Sequence, residues 1–246
     1  MRFFPVLMLL IAAACAEREK MGSGAEPRQP YAVEMDEPAT APREAEAAVL
    51  PAAAIATDTP VVVFLGTSLT AGYGLAPERA YPAVIGRLAT NENLPIRVVN
   101  AGLSGETSAG ALRRVDWVLR SPADVVVVET GANDGLRALD IDSTRENITA
   151  IVQRIRRAHP AAHVLLVQME APPNFGLDYT SRFREMYPSI AREAGVTLVP
   201  FLLEGVAAVP EMNQADGIHP NVAGAERVAL TVWAALKPAV SELYAP

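Results

Sequence analysis

The stretch VVVFLGTSLTAGYGL, Val61–Leu75, decides how the chain is to be read. Its first five residues are apolar and mostly β-branched with no polar alternation, the pattern of a strand covered on both faces, and Gly66 ends the run. Ser68 follows two residues later, at the head of a loop of small residues. A serine at such a turn is either a turn residue or a hydroxyl held out for chemistry.

From Pro60 onward the pattern recurs. Strands are expected over 61–66, 96–101, 124–130, 163–169 and 196–199, and helices over 81–91, 108–119, 143–158, 181–193 and 221–236. The 143–158 helix carries Ile148, Ile151, Val152 and Ile155 on one face, and Pro188 is expected to kink or shorten the 181–193 helix. Apolar strands alternating with amphipathic helices imply a parallel sheet buried between helical layers. The expected fold class is α/β: a three-layer, doubly wound, flavodoxin-like parallel sheet of about five strands, with helices on both faces and right-handed crossovers.

The 246 residues, 50% hydrophobic and 20% charged, suit a single core of ordinary size. A net charge of −7 with scattered arginines argues against a nucleic-acid-binding surface. Residues 1–15, MRFFPVLMLLIAAAC, place Arg2 ahead of an apolar run too short to span a bilayer, as in a secretory signal. Cys15, the only cysteine, stands where a lipoprotein signal places its acylated residue, and Ala16 after it favours the outer membrane; cleavage after Ala14 by an ordinary signal peptidase is the alternative. One cysteine allows no internal disulfide. Residues 16–59 are rich in alanine, glutamate and proline without apolar periodicity and read as a disordered tether, leaving 60–243 as the folded domain. The chain is expected to be exported to the periplasm and anchored to a membrane through its N-terminus; no exposed apolar period suggests an oligomer, so a monomer is the default.

In doubly wound sheets ligands bind beyond the carboxyl ends of the strands. The segments there are GTSLTAG, AGLSGETSAG and TGANDG, each rich in glycine and small polar residues. The first has no lysine for a phosphate-binding loop, and GYGLAP places Pro77 where a dinucleotide fingerprint needs its last glycine. A fourth segment, QADGIHPNVAGAE, sets Asp216 three residues before His219, with Pro220 opening the last helix. A carboxylate at that spacing can accept the imidazole Nδ1 proton and leave Nε2 free as a base, which a serine hydroxyl needs if it is to attack. The same two residues would also serve simply to cap the last helix. His159 and His163 flank a helix-to-strand junction broken by Pro160 and cannot form a helical metal face, so no metal is expected. Glu129 and Asp134 flank the third segment and are read as holding it, with no catalytic part.

FLGTSLTAGYGL, GLSGETSAG, TGANDG and DGIHP, in this order, resemble the motif blocks of the SGNH or GDSL hydrolases, most nearly the bacterial multifunctional thioesterases, arylesterases and lysophospholipases of that family. The likeness runs from Val61 to the last helix. It implies Ser68 as nucleophile, His219 as base and Asp216 as its orienter, with an oxyanion hole from the amides of Ser68 and Gly105 and the side-chain amide of Asn133. It implies no cofactor and a small acyl ester or thioester substrate of short to medium chain, lysophospholipids included; the apolar Phe175, Leu177 and nearby Leu136 are candidate pocket residues with room for more than acetyl. Thr67 stands where the family usually has aspartate, a departure that bears on loop rigidity and substrate preference. A carbohydrate O-acetylesterase of the same family and a non-catalytic cell-envelope binding module are the alternative readings.

Overall fold

The computed structural model describes residues 59–245; the expected signal peptide, Cys15 and the tether as far as residue 58 lie outside the described residues. Parallel strands β1 (Val61–Gly66), β2 (Arg97–Gly102), β3 (Val125–Val128), β4 (His163–Val167) and β5 (Thr197–Val199) form one sheet in the order β2-β1-β3-β4-β5. Val63 of β1 stands opposite Val99 of β2 on one side and Val126 of β3 on the other. The chain therefore leaves β1 toward one flank and returns on the other, and strand order reverses at the carboxyl ends of β1 and β3.

Between and after the strands lie α1 (Ser68–Ala71), α2 (Tyr81–Asn91), α3 (Ser108–Val118), α4 (Ala132–Leu136), α5 (Ile141–Ala158), α6 (Gly176–Ala194) and α7 (Val222–Leu243). α2 packs against α7, while α3 packs on α5 and α5 on α6, giving the sheet its two helical layers. β1 and β3 are buried along their whole length, and the edge strand β2 is partly open to solvent. This is the α/β architecture the sequence pattern implies.

The helix ends differ from expectation in an informative way. α6 begins at Gly176 and passes through Pro188, and α7 continues through Pro238 to Leu243. An interior proline costs about 3 kcal/mol, and burying one large aliphatic side chain is worth about 1.5–3 kcal/mol. Phe183, Met186 and Tyr187 lie buried on one side of Pro188 and Ile190 and Ala191 on the other, so the continuous stripe outweighs the break. Ala239 and Val240 extend the buried face of α7 past Pro238 in the same way. α5 starts at Ile141, two residues early, because the Asp140 side chain accepts the Ser143 amide proton at 2.8 Å as its cap. The short helices α1 and α4 occupy positions expected to be loops.

Leu165, wholly buried in β4, tests this core: Leu165→Ala is expected to destabilise the fold by about 2–5 kcal/mol, whereas Leu230→Ala, at a position 51% exposed on α7, should change stability by no more than about 0.5 kcal/mol. Urea unfolding midpoints at constant slope provide the measurement.

Candidate active site

The turn after β1 is built on a buried carboxylate. Glu129, just past β3 and wholly buried, accepts hydrogen bonds from the Thr67 amide at 2.8 Å, the Thr67 hydroxyl at 3.0 Å and the Thr70 hydroxyl at 2.9 Å. The Thr70 hydroxyl in turn lies 2.8 Å from the Tyr81 hydroxyl of α2. Gly66 is required here, since a Cβ would fall 2.0 Å from Thr70 Oγ1 and 2.7 Å from Glu129 Oε2. Thr67 caps α1, and Ser68 is the first residue of that helix. Burial pushes the Glu129 carboxyl up to about 7, against the pull of its threonine and backbone donors.

A second buried carboxylate joins the other two loops. Asp134 of α4 accepts from the Ser108 amide at 2.8 Å and from the Ser108 hydroxyl at 2.6 Å, tying the start of α3 to α4. Asn133, beside it, donates through Nδ2 to the Glu106 carbonyl at 2.9 Å, which leaves its second amide proton available. Gly105 has φ of 77° and no atom within 4 Å of where a Cβ would stand, so its backbone is open to an approaching ligand.

His219 arrives on a turn of its own. Asp216 Oδ1 accepts the amide protons of Ile218 at 2.9 Å and His219 at 3.0 Å, and Asp216 Oδ2 lies 2.7 Å from His219 Nδ1. Gly217 closes this turn with φ of 68°. The backbone amide of His219, then its ring N–H and the Ile218 amide, hold the Asp216 carboxyl down at about 2. α7 is capped by Asn221, whose Oδ1 accepts the Gly224 amide at 3.1 Å, so Asp216 and His219 are not spent as its caps. His219 Nε2 lies 2.9 Å from Ser68 Oγ. The Tyr73 ring sits 4.6 Å from the imidazole, and Gln214 donates to the carbonyls of Tyr73 at 2.7 Å and Pro220 at 2.9 Å.

Ser68, Gly105, Asn133 and His219 line one cavity of about 350 Å³, a size typical of small-molecule sites. Leu136 lines it as expected, but Phe175 and Leu177 do not. Phe175 ends a short 3₁₀ turn and packs edge-on against Tyr179 at 5.8 Å, and Leu177, in the first turn of α6, is 85% exposed. The apolar walls come instead from Leu69, Met169, Phe201, Leu203 and Ile218. Met169 and Phe201 stand just beyond the carboxyl ends of β4 and β5, a position that the strand pattern alone marks as facing the site. Neither Tyr73 nor Gln214 carried a sequence signal, since Tyr73 meets Gln214 and His219 from the opposite end of the domain, 141 residues before Gln214. His159 bonds the Leu119 carbonyl and His163 lies 3.6 Å from Glu242, both away from this cavity.

Glu129 makes stability pH-dependent with a definite sign. Its carboxyl titrates near 4.5 in the unfolded chain and near 7 in the fold, so its favourable contribution is complete below pH 4.5 and is lost as pH rises through 7. The stability of the natural chain relative to Glu129→Gln should therefore fall by up to about 3 kcal/mol between pH 4.5 and pH 8, read from paired urea unfolding curves.

Comparison with known proteins identifies the family to which this fold belongs. Residues 64–227 match the GDSL-like Lipase/Acylhydrolase family. The chain is 40% identical over 179 residues to esterase TesA of Pseudomonas aeruginosa, covering 72% of this chain and 88% of that protein. It is 38% identical over 169 residues to thioesterase 1/protease 1/lysophospholipase L1 of Escherichia coli K12, covering 68% of this chain and 78% of that protein. The crystal structure of the psychrotrophic esterase EstA from Pseudoalteromonas, inhibited by monoethylphosphonate, superposes with a TM-score of 0.68 at 31% identity, over 72% of this chain and 97% of that one. The blocks around Ser68, Gly105, Asn133 and His219 thus sit on a shared fold, and the chain belongs to the GDSL-like lipase/acylhydrolase family.

Proposed function

We propose that this chain is a serine esterase that hydrolyses short- to medium-chain acyl esters or thioesters, with Ser68 as nucleophile, His219 as base and Asp216 as the carboxylate that orients it. The observation that carries the reading is the relay itself: 2.9 Å from Ser68 Oγ to His219 Nε2 and 2.7 Å from His219 Nδ1 to Asp216 Oδ2. Ser68 Oγ attacks the acyl carbonyl carbon while its proton passes to His219 Nε2. The carbonyl oxygen becomes an oxyanion facing the amides of Ser68 and Gly105 and the second Nδ2 proton of Asn133; one such donor is worth about 3 kcal/mol in comparable enzymes. Collapse breaks the bond to the leaving alcohol or thiol, which takes the proton from His219. Water then repeats the sequence on the acyl-enzyme, giving the carboxylic acid and free Ser68.

Because Asp216 titrates near pH 2, it stays ionised throughout the neutral range and keeps its hold on the imidazole Nδ1. The apolar cavity of about 350 Å³ supports acyl chains longer than acetyl and weighs against the O-acetylesterase alternative. The intact relay weighs against a silent binding module.

A series of p-nitrophenyl esters of graded chain length tests both points. Turnover should be maintained or rise from acetyl to medium chains, and a steep decline would favour a deacetylase. Ser68→Ala should lower kcat by about 10⁴-fold or more and abolish labelling by a fluorophosphonate probe. For location, the N-terminal sequence supports export and acylation at Cys15, in which each buried methylene adds about 0.8 kcal/mol of membrane affinity. Cys15→Ser should move the protein from the membrane fraction to the soluble fraction on cell fractionation.

A further inference from the structure

Gln214 touches both halves of the proposed relay. Its backbone N–H donates to the His219 carbonyl at 2.8 Å and its carbonyl accepts the Gly217 amide proton at 2.9 Å, so its main chain closes the turn that carries Asp216 and His219. Its side-chain Nε2 donates to the Pro220 carbonyl at 2.9 Å and to the Tyr73 carbonyl at 2.7 Å, which uses both amide protons. Tyr73 is in turn bonded to the nucleophile's own residue, its N–H donating to the Ser68 carbonyl at 3.0 Å.

These bonds close a circuit. It runs from the Ser68 carbonyl to Tyr73, from the Tyr73 carbonyl to the Gln214 side chain, from the Gln214 amide to the His219 carbonyl, and from His219 Nε2 back to Ser68 Oγ at 2.9 Å. Among the described residues only two hydrogen bonds cross between segments 66–75 and 213–220: the Ser68–His219 contact and the bond from Gln214 to Tyr73. The first is given up whenever Ser68 carries an acyl group, because the hydroxyl proton has then left. The second takes no part in the chemistry and persists through the cycle. Tyr73 is 54% exposed, so packing does little to hold its turn in place of that bond. The Gln214 amide lies directly against the turn's backbone, since a Cβ at Gly74 would fall 2.2 Å from Gln214 Oε1.

We propose that Gln214 is a positioning residue for the reaction: through the Tyr73 carbonyl it holds the imidazole in register with Ser68, including in the acyl-enzyme, where the direct contact is lost. This rests on the esterase reading and adds to it the residue that fixes the alignment of its relay. Misplacing a reacting group by about 1 Å can cost roughly 10²-fold in rate. Gln214 does not line the acyl cavity, so its loss acts on kcat and leaves substrate binding unchanged.

The test measures kcat and KM of the full-length protein on p-nitrophenyl butyrate, together with the rate at which a fluorophosphonate probe labels Ser68, for the natural chain, Q214A, Q214M and Q214K. Gln214 is half-buried on a surface turn, so these variants should fold, and urea unfolding of the same samples gives the folded fraction. Methionine keeps the length of the side chain without its donors, and lysine restores N–H donors. In Q214A and Q214M, kcat is expected to fall by about tenfold or more with KM within about twofold of the natural value, the pattern of a lost transition-state alignment. The labelling rate should fall in parallel, and Q214K should recover part of both. Rates within about twofold of the natural chain in both Q214A and Q214M overturn the proposal while leaving the esterase reading intact. A loss carried by KM alone, or one no larger than the loss of folded protein, overturns it as well. A natural chain that is neither labelled nor active removes the esterase reading and the proposal together.

Discussion

The site depends on two carboxylates buried at the carboxyl ends of the strands. Glu129 ties the segment after β3 to the turn after β1 through two hydroxyls and a backbone amide, and Asp134 ties α4 to the start of α3 through a hydroxyl and an amide. A buried charge without partners costs several kcal/mol, and removing its partners leaves that cost exposed. Each carboxylate here is surrounded by donors from a different loop, so the loops can separate only by stranding it. That constraint holds Ser68, Gly105 and Asn133 in one frame, although they follow three different strands.

Thr67 is understood against this background. The family resemblance expects an aspartate at that position, and a carboxylate there would face Glu129 at hydrogen-bond distance. Two carboxylates in contact oppose each other's ionisation and tend to share a proton. The threonine hydroxyl instead donates to Glu129 while its oxygen caps the short helix that begins with Ser68. Threonine at this position therefore keeps the turn satisfied without a second charge, and Ser68, Asp216 and His219 keep their mutual contacts.

Much of the fold is legible in local pattern. The runs at β1 and β3 contain no polar residue, which can only mean burial on both faces, and the stripe Ile148, Ile151, Val152 and Ile155 fixes the inner face of α5. The helices containing Pro188 and Pro238 were harder to read, because a proline is a strong local signal and the buried stripe that overrides it is set by the sheet beneath. The site divides in the same way. Ser68, Asp216 and His219 stand out as candidates by residue type and spacing, whereas Gly105 and Asn133 are singled out only by the family resemblance, since a glycine-rich segment suits any ligand loop. Phe175 and Leu177 could not be placed correctly, since an apolar side chain near the site says nothing about which way a 3₁₀ turn directs it. That Glu129 also holds the turn after β1 is not legible for a related reason: its partners, Thr67 and Thr70, lie about sixty residues earlier in the chain.

The relay is assembled from two units of different origin. Asp216 and His219 form a local unit, set within four residues by a turn whose amides and ring all bond one carboxylate, so its internal geometry needs little from the rest of the protein. Ser68 belongs instead to the frame held by the sheet. The units meet at the single 2.9 Å contact between Ser68 and His219, supported by the Tyr73 ring against the imidazole and by Gln214 on the Tyr73 carbonyl. Tyr73 follows α1, which contacts α2, and Gln214 precedes α7, which packs on the same α2. Alignment of the hydroxyl with its base is therefore governed by the seating of α7 on α2. This makes the alignment of the proposed relay a property of helix packing, even though every group assigned to it lies in a loop or at the first residue of a short helix.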